Sequence, residues 1–403
     1  MCRRQVLRAC AVTVAGVVLA LVIGSGSAAA HAELISTDPG QDAVVATIPR
    51  TVALTFSEPV AVAADGVRVF GPDGVQVDNG DTVHLGRSST VGVGLRSSQE
   101  QPAPAQQGTH TVSWRVVSAD SHPVTGAFAF SVGHPSRSQA PEAVRSPGST
   151  TVGVAYAIVR AAAFASYALL VGSIGFVLLC WPAAIAGRGI RRIMLVGWAG
   201  LLATTMAALL LQGPYGNGLG LDRLFGSGVF SGTLDSRLGT ALTARLALLA
   251  LVGGYLVLLC AWLGHAGRRG RGSFRAVGLT LALGLALTWA TANHAAVGPQ
   301  PALAIPMDAV HLLAMGVWLG GLVSLAVVLR PPGATATAQN RFSAVATGAI
   351  VVLIGTGGYQ SWRQLGSWDA FWSTDYGRLL LAKLGVIAAL LVAALLSRRA
   401  TRE

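Results

Sequence analysis

Polar and apolar positions alternate in short runs along residues 31–134, at Thr51–Phe56, Gly66–Phe70, Thr90–Leu95, Thr109–Val117 and Ala127–Val132. Turn-forming clusters separate them, such as Asp38-Pro39-Gly40, Gly71-Pro72-Asp73-Gly74 and Asp78-Asn79-Gly80. A period of two marks half-buried strands, because successive side chains leave opposite faces. Val112, Trp114 and Val116 fall on one such face. About a hundred residues of this kind predict a small all-β domain, a sandwich or Greek-key barrel.

From Val152 the pattern changes to long apolar runs. Seven are long enough to cross a membrane as helices, at about 155–181, 193–211, 241–263, 276–296, 307–329, 342–359 and 378–397. The stretch between the two regimes, 135–152, is rich in Ser, Pro and Ala and reads as a linker. Residues 1–30 form a third unit. Arg3, Arg4 and Arg8 precede an apolar core from Ala9 to Ile23, and Ser27-Ala28-Ala29-Ala30 offers a small-residue cleavage site. That is the pattern of a signal peptide, and cleavage after Ala30 makes His31 the first mature residue. The expected organisation is therefore a signal peptide (1–30), an extracytoplasmic β domain (31–134), a linker (135–152) and an all-α polytopic membrane domain (153–403).

Charge sharpens this division. The chain carries a formal +12, with 28 of its 29 basic residues arginine. Residues 31–134 hold five Arg against ten Asp or Glu, whereas 153–403 hold nineteen bases against six acids. A basic excess spread among apolar spans reflects membrane topology and excludes a nucleic-acid partner as its cause. The connecting segments alternate. One set holds Arg188, Arg191, Arg192, Arg268, Arg269, Arg271, Arg275, Arg330, Arg341, Arg398, Arg399 and Arg402; the other holds Arg223, Arg237 and Arg363. The positive-inside rule puts the C-terminus in the cytoplasm and the β domain outside, in a multi-pass cell-membrane protein. Arg160, Arg245 and Arg378 fall inside the spans. No phosphate-cradling Gly-x-x-x-x-Gly-Lys occurs, so an ATP-driven pump is unsupported.

The strongest local chemistry is Trp114-Arg-Val-Val-Ser-Ala-Asp120-Ser-His122-Pro123-Val124, taken with His31. Asp120 and His122 are two apart and share a face of an extended segment. A mature N-terminal His31 brings an α-amine and an imidazole. With a second imidazole and a carboxylate they form an N,O set that suits Cu(II). His84, His110 and His134 lack partners at ligand spacing and read as surface residues, as does His265. Glu58 reads as a turn or strand-end residue.

In the membrane half His294, Asp308 and His311 stand out, because ionisable groups in apolar spans are costly and usually functional or paired. Met307, His311 and Met315 are spaced by four and share a helical face. Asp308, three before His311, is placed to orient the ring. These residues form a candidate copper path at the outer ends of the fourth and fifth spans, with thioethers that favour Cu(I); the alternative is that the methionines only pack and His311 hydrogen-bonds to a neighbouring helix. Gly316, Gly320-Gly321 and Gly357-Gly358 read as close helix packing. Gly213–Gly232 reads as a long external loop.

Three stretches resemble the periplasmic copper-binding protein CopC: His31-Ala-Glu-Leu-Ile-Ser-Thr-Asp-Pro-Gly, Thr51–Phe56 running into Ser57-Glu58-Pro59, and Val117–Gly126. His311–Leu322 and Tyr376–Lys383 resemble its membrane partner CopD. The resemblance is to a CopC–CopD fusion and covers nearly the whole mature chain. It implies a cupredoxin-related β fold, a Cu(II) site at His31, Asp120 and His122, and a role in copper uptake or resistance, without enzymatic activity. Some family members carry a methionine-rich Cu(I) site. No methionine occurs here between Met1 and Met194, so the β domain is expected to bind Cu(II) only. The family's membrane half is described with eight spans, against seven counted here. Expected partners are copper ions and the lipid bilayer, with a copper reductase or copper chaperone beside them.

Two other readings stand beside this one. An N-terminal histidine chelating copper also resembles the site of oxidative polysaccharide-cleaving enzymes, and His294 and His311 are of a type that ligates haem. A membrane-bound copper or haem oxidoreductase is thus one alternative. A tethered copper store or sensor is the other.

Overall fold

The computed structural model describes residues 32–62, 65–96, 107–118, 123–137, 150–226, 229–263, 265, 267–296, 300–328, 336–365 and 370–373, with isolated positions beyond. The N-terminal part is a two-sheet sandwich. Strands β1 (Leu34–Asp38), β3 (Thr51–Phe56), β7 (Thr90–Leu95) and β6 (Asp78–His84) form one sheet in the order β1-β3-β7-β6. The other runs β2-β9-β8-β4, from β2 (Val44–Val45), β9 (Pro123–Val132), β8 (Gly108–Ser118) and β4 (Val60–Ala61); β5 (Val67–Phe70) also pairs with β8. All pairings are antiparallel except β2 with β9.

The alternation along each strand decides what fills the space between the sheets. Val52, Leu54 and Phe56 of β3 meet Val112, Trp114 and Val116 of β8 in one buried cluster. Burying each such side chain contributes about 1.5–3 kcal/mol. Trp114 packs edge-on against Phe56 with ring centroids 5.2 Å apart. The same parity corrects one expectation. His110 shares the inward face of β8 and is fully buried, stacked on Phe130 at 5.2 Å, with Nδ1 3.2 Å from the Gly108 carbonyl. His84, His134 and His265 are exposed, as expected.

A second correction concerns Asp78-Asn79-Gly80, which lies inside β6 and is not a loop. The register shifts between Asp78 and Thr82, and Gly80 takes φ 82°, so the turn-forming residues build a bulge. Asp78 is fully buried. It accepts from Val69 N at 2.7 Å, Gln76 Nε2 at 2.9 Å and Gly80 N at 3.0 Å.

The second half is helical: α1 (Thr150–Gly175, prolonged by a π-helical turn, Phe176–Cys180), α2 (Arg188–Asn217), α3 (Val229–Asp235), α4 (Arg237–Trp262), α5 (Arg268–Ala290), α6 (Pro301–Val328), α7 (Ala336–Leu365) and α8 (Ala370–Ser373). Six helical stretches among the described residues are long and apolar enough to cross a membrane. The seventh expected span, 378–397, lies almost wholly outside the described residues. Leu251, Val257, Leu258, Leu279, Val351 and Ile354 are exposed on these helices, which leaves apolar faces for lipid. Residues 213–217 continue α2, and α3 occupies 229–235, so the expected long external loop is partly helical.

Small residues set the central packing. α6 crosses α1 so closely that a Cβ on Gly320 would overlap the Ala168 carbonyl, and one on Gly172 would overlap the Gly320 backbone. Gly316 and Gly321 lie against the Tyr167 and Phe342 rings. Gly357 and Gly358 differ. Gly357 lies beside the His311 ring, and among the described residues nothing comes within 4 Å of a Cβ on Gly358. At the arginine-rich end, Arg275 donates to the Leu178 carbonyl at 3.1 Å and Arg341 to that of Cys180 at 3.5 Å. Cationic side chains there satisfy carbonyls that the end of a helix leaves unpaired.

Candidate functional site

Two chain segments carry the expected Cu(II) ligands, and the strand register brings their anchors to one end of the sandwich. Ala32 is 2% exposed in the β core, and Glu33 exchanges backbone and hydroxyl bonds with Ser57 at 2.8 and 2.9 Å. Three residues later Val60 pairs with Ser118, the last residue of β8. Three residues of extended chain reach at most about 10 Å. The β8–β9 ladder closes at Val117 opposite Pro123, so 119–122 is the connection at that same end. His31, Asp120 and His122 themselves lie outside the described residues. Among the described residues no three His, Cys, Asp or Glu side chains form a metal cluster.

This end of the sandwich faces the helices. Arg115 lies on the outward face of β8, three residues before Ser118. Its Nε donates to the Gly216 carbonyl at 2.8 Å, and its Nη2 to the Tyr215 carbonyl at 3.0 Å. Both acceptors belong to the last turn of α2, whose carbonyls have no intrahelical partner and carry the negative end of the helix dipole. The guanidinium lies over Gly218 (φ 68°), and a Cβ on Gly216 would come within 3.3 Å of Val117. Partial burial lowers the Arg115 pKa, against an opposing influence from Tyr215. The arginine-rich connectors lie at the other end of α2, where Arg188, Arg191 and Arg192 begin the helix.

In the helical half the structure deepens the position of His311. The expected fifth span opened at residue 307, but α6 starts at Pro301 and carries Pro306 inside it. His311 is therefore ten residues into the helix, about 15 Å along its axis at 1.5 Å per residue, and not at its mouth. Pro306 lacks an N–H and removes one helical bond without ending the helix.

His311 Nδ1 lies 2.8 Å from Thr356 Oγ1 on α7. That hydroxyl donates its proton to the Val352 carbonyl at 2.7 Å, so its oxygen accepts from the imidazole. Nδ1 then carries the ring proton and Nε2 keeps its lone pair, the form in which histidine binds a metal. Thr356, not Asp308, is thus the residue that orients the ring. Asp308 is one turn nearer the start of α6 and accepts from Gln360 Nε2 at 3.3 Å. Met315 is half-buried and packs against the helical core, and Met307 is half-buried on the same side. His294 falls in a 3₁₀ turn, His294–Ala296, between α5 and α6; its side chain lies outside the described part. Arg115 and Thr356 had no signal in the sequence. Each becomes legible only through a partner about 100 and 45 residues away in the chain.

Comparison with known proteins agrees with these two halves. Residues 34–133 match the CopC domain, and residues 336–403 match copper resistance protein D, CopD. The second match includes Tyr376–Lys383 and begins after His311–Leu322. Copper resistance protein C of Escherichia coli is 34% identical over 116 residues, 28% of this chain and 90% of that protein. Copper resistance protein C of Xanthomonas campestris pv. juglandis is 32% identical, over 29% of this chain and 91% of that protein. Copper transport protein CutJ of Bacillus subtilis (strain 168) is 27% identical over 90% of this chain; the chain spans 66% of its length, just under two thirds. The crystal structure of PcoC, a methionine-rich copper resistance protein from Escherichia coli, covers 26% of this chain and 99% of its own. It shares 30% sequence identity, with a TM-score of 0.22.

Proposed function

Because the chain belongs to the CopC family of copper resistance proteins and joins its CopC domain to a CopD domain, we propose that it captures Cu(II) outside the cell membrane and moves copper inward through its helices. His31, through its α-amine and ring, binds Cu(II) with Asp120 and His122. The ion then passes to a path that uses His294 and His311, with Asp308, Met307 and Met315 along it. A membrane path containing thioethers favours Cu(I), so a reductant or reductase partner supplies an electron to Cu(II) on the way. The β domain lies outside and the C-terminus in the cytoplasm.

The observation that carries this reading is the seat of the β8–β9 hairpin. Arg115 fastens it to the end of α2 away from the arginine-rich connectors, so the strand ends at Ser118 and Pro123 are held beside the helices. The free lone pair on His311 Nε2 supports a ligand role deeper in.

The test is uptake of isotope-tagged copper into vesicles of known orientation. Inward accumulation by the native protein, lost in His311→Ala while Cu(II) binding by the β domain persists, is the expected result. Normal accumulation by correctly inserted His311→Ala would return that residue to a structural role. An alanine placed before His31 converts the chelating amine to an amide and should weaken Cu(II) binding at least tenfold. Equal binding by the extended protein would dismiss the N-terminal chelate.

A further inference from the structure

A buried arginine elsewhere in the helical half is not used by this copper path. Arg245 is 3% exposed, eight residues into α4, and therefore about 12 Å along the helix at 1.5 Å per residue. Its guanidinium carbon sits 3.5 Å above the Trp289 ring, and its Nε donates to Thr288 Oγ1 at 2.8 Å. That is its one hydrogen bond among the described residues, and none of their carboxylates pairs with it. A guanidinium has five N–H donors and stays charged in proteins. A permanent charge within an apolar span needs an opposite charge or water. The Trp289 face offsets part of that cost through its quadrupole.

Arg245 also borders a cavity of about 40 Å³ between α1, α2, α4 and α5. Tyr156, Arg160, Thr204, Trp289 and Asn293 line it together with Arg245. Among the described residues the wall thus brings two guanidinium groups, a carboxamide and the Tyr156 and Thr204 hydroxyls, and no acid. Such a lining rejects a metal cation. A single water needs about 10–15 Å³ by this measure, so the space admits about three water-sized groups. A phosphate or an amino-acid carboxylate is too large; a halide with a water fits.

We infer that Arg245, Trp289 and the cavity beside them form a binding site for a halide ion, chloride under cellular conditions. The ion neutralises the buried guanidinium and ties α4 to α5. The site is independent of the copper path and of the reading given above, so its failure leaves that reading untouched.

The full-length protein in detergent tests it. Thermal unfolding is measured in sodium chloride, sodium gluconate and sodium sulfate at equal ionic strength. A Tm several degrees higher in chloride, saturating with concentration and lost in Arg245→Gln, is the expected result. A Tm equal in the three salts, or a chloride effect that survives Arg245→Gln, overturns the proposal. Should Arg245→Gln not fold, iodide quenching of the native protein decides. Quenching that saturates, is competed by chloride and disappears in Trp289→Phe supports the site. Quenching that rises linearly and ignores chloride overturns it.

Discussion

At the scale of single residues, the proton held between His311 and Thr356 determines which ring nitrogen is free. Thr356 spends its own proton on the Val352 carbonyl and so must accept from Nδ1. Thr356→Val keeps the shape and removes the acceptor. The half-buried Nδ1–H is then unpaired, at a cost of about 1–3 kcal/mol, and the ring is free to turn or change tautomer. Copper uptake should fall several-fold in Thr356→Val and recover in Thr356→Ser, measured in vesicles beside a Cu(II)-binding assay that neither change alters. Uptake by Thr356→Val equal to that of the native protein would detach the hydrogen bond from function. Met315→Leu is a graded companion: it keeps volume and removes sulfur. It should slow transfer if the thioether takes part, and do nothing if Met315 only packs against the helical core.

Between elements, two contacts carry opposite chemistry. The α1–α6 crossing is apolar and backbone-close. Gly320→Ala would drive a methyl into the Ala168 carbonyl and should destabilise by about 1–3 kcal/mol, read as a lower Tm in detergent. Gly254→Ala on α4 meets nothing within 4 Å and should leave Tm unchanged or slightly higher. The β8–α2 contact is instead a charge on helix-end carbonyls. Arg115→Met keeps much of the stem but loses two charge-assisted bonds, worth about 1.5–3 kcal/mol each at most. Cu(II) binding should survive while uptake drops. An uptake rate unchanged in Arg115→Met would mean that the hairpin need not be held at α2.

For the whole molecule, the β sandwich and the arginine-rich connectors lie at opposite ends of α2, and the positive-inside rule predicts cytoplasm at the arginine-rich end. Reporter fusions at Gly270 and after Glu403 should report the cytoplasm, and one at Asn217 the outside. A cytoplasmic signal at Asn217 would show that a span is misplaced and would remove the seven-span arrangement. Exposed Leu251, Val257 and Ile354 require lipid or detergent around the helices, so removing detergent should aggregate the protein.

Periodicity by itself determined much of this molecule. A period of two located β3, β5, β7, β8 and β9, and uninterrupted apolar length located six helices, because both signals are local and cumulative. The alternation also put position 110 on the inward face of β8, but residue type argued for the surface and misled. Its burial depends on Phe130 and on the Gly108 carbonyl, which only the folded sheet supplies. Proline at 306 hid the first turn and a half of α6, since one lost backbone bond is tolerated in a long apolar helix. The sequence pattern selected His311 but not Thr356, and Arg115 lay within the strongest motif without a role. Hydrogen bonds that join residues 45 or 100 positions apart leave no periodic trace in the chain. They exist only once helix crossings and sheet register have brought donor and acceptor within 3 Å.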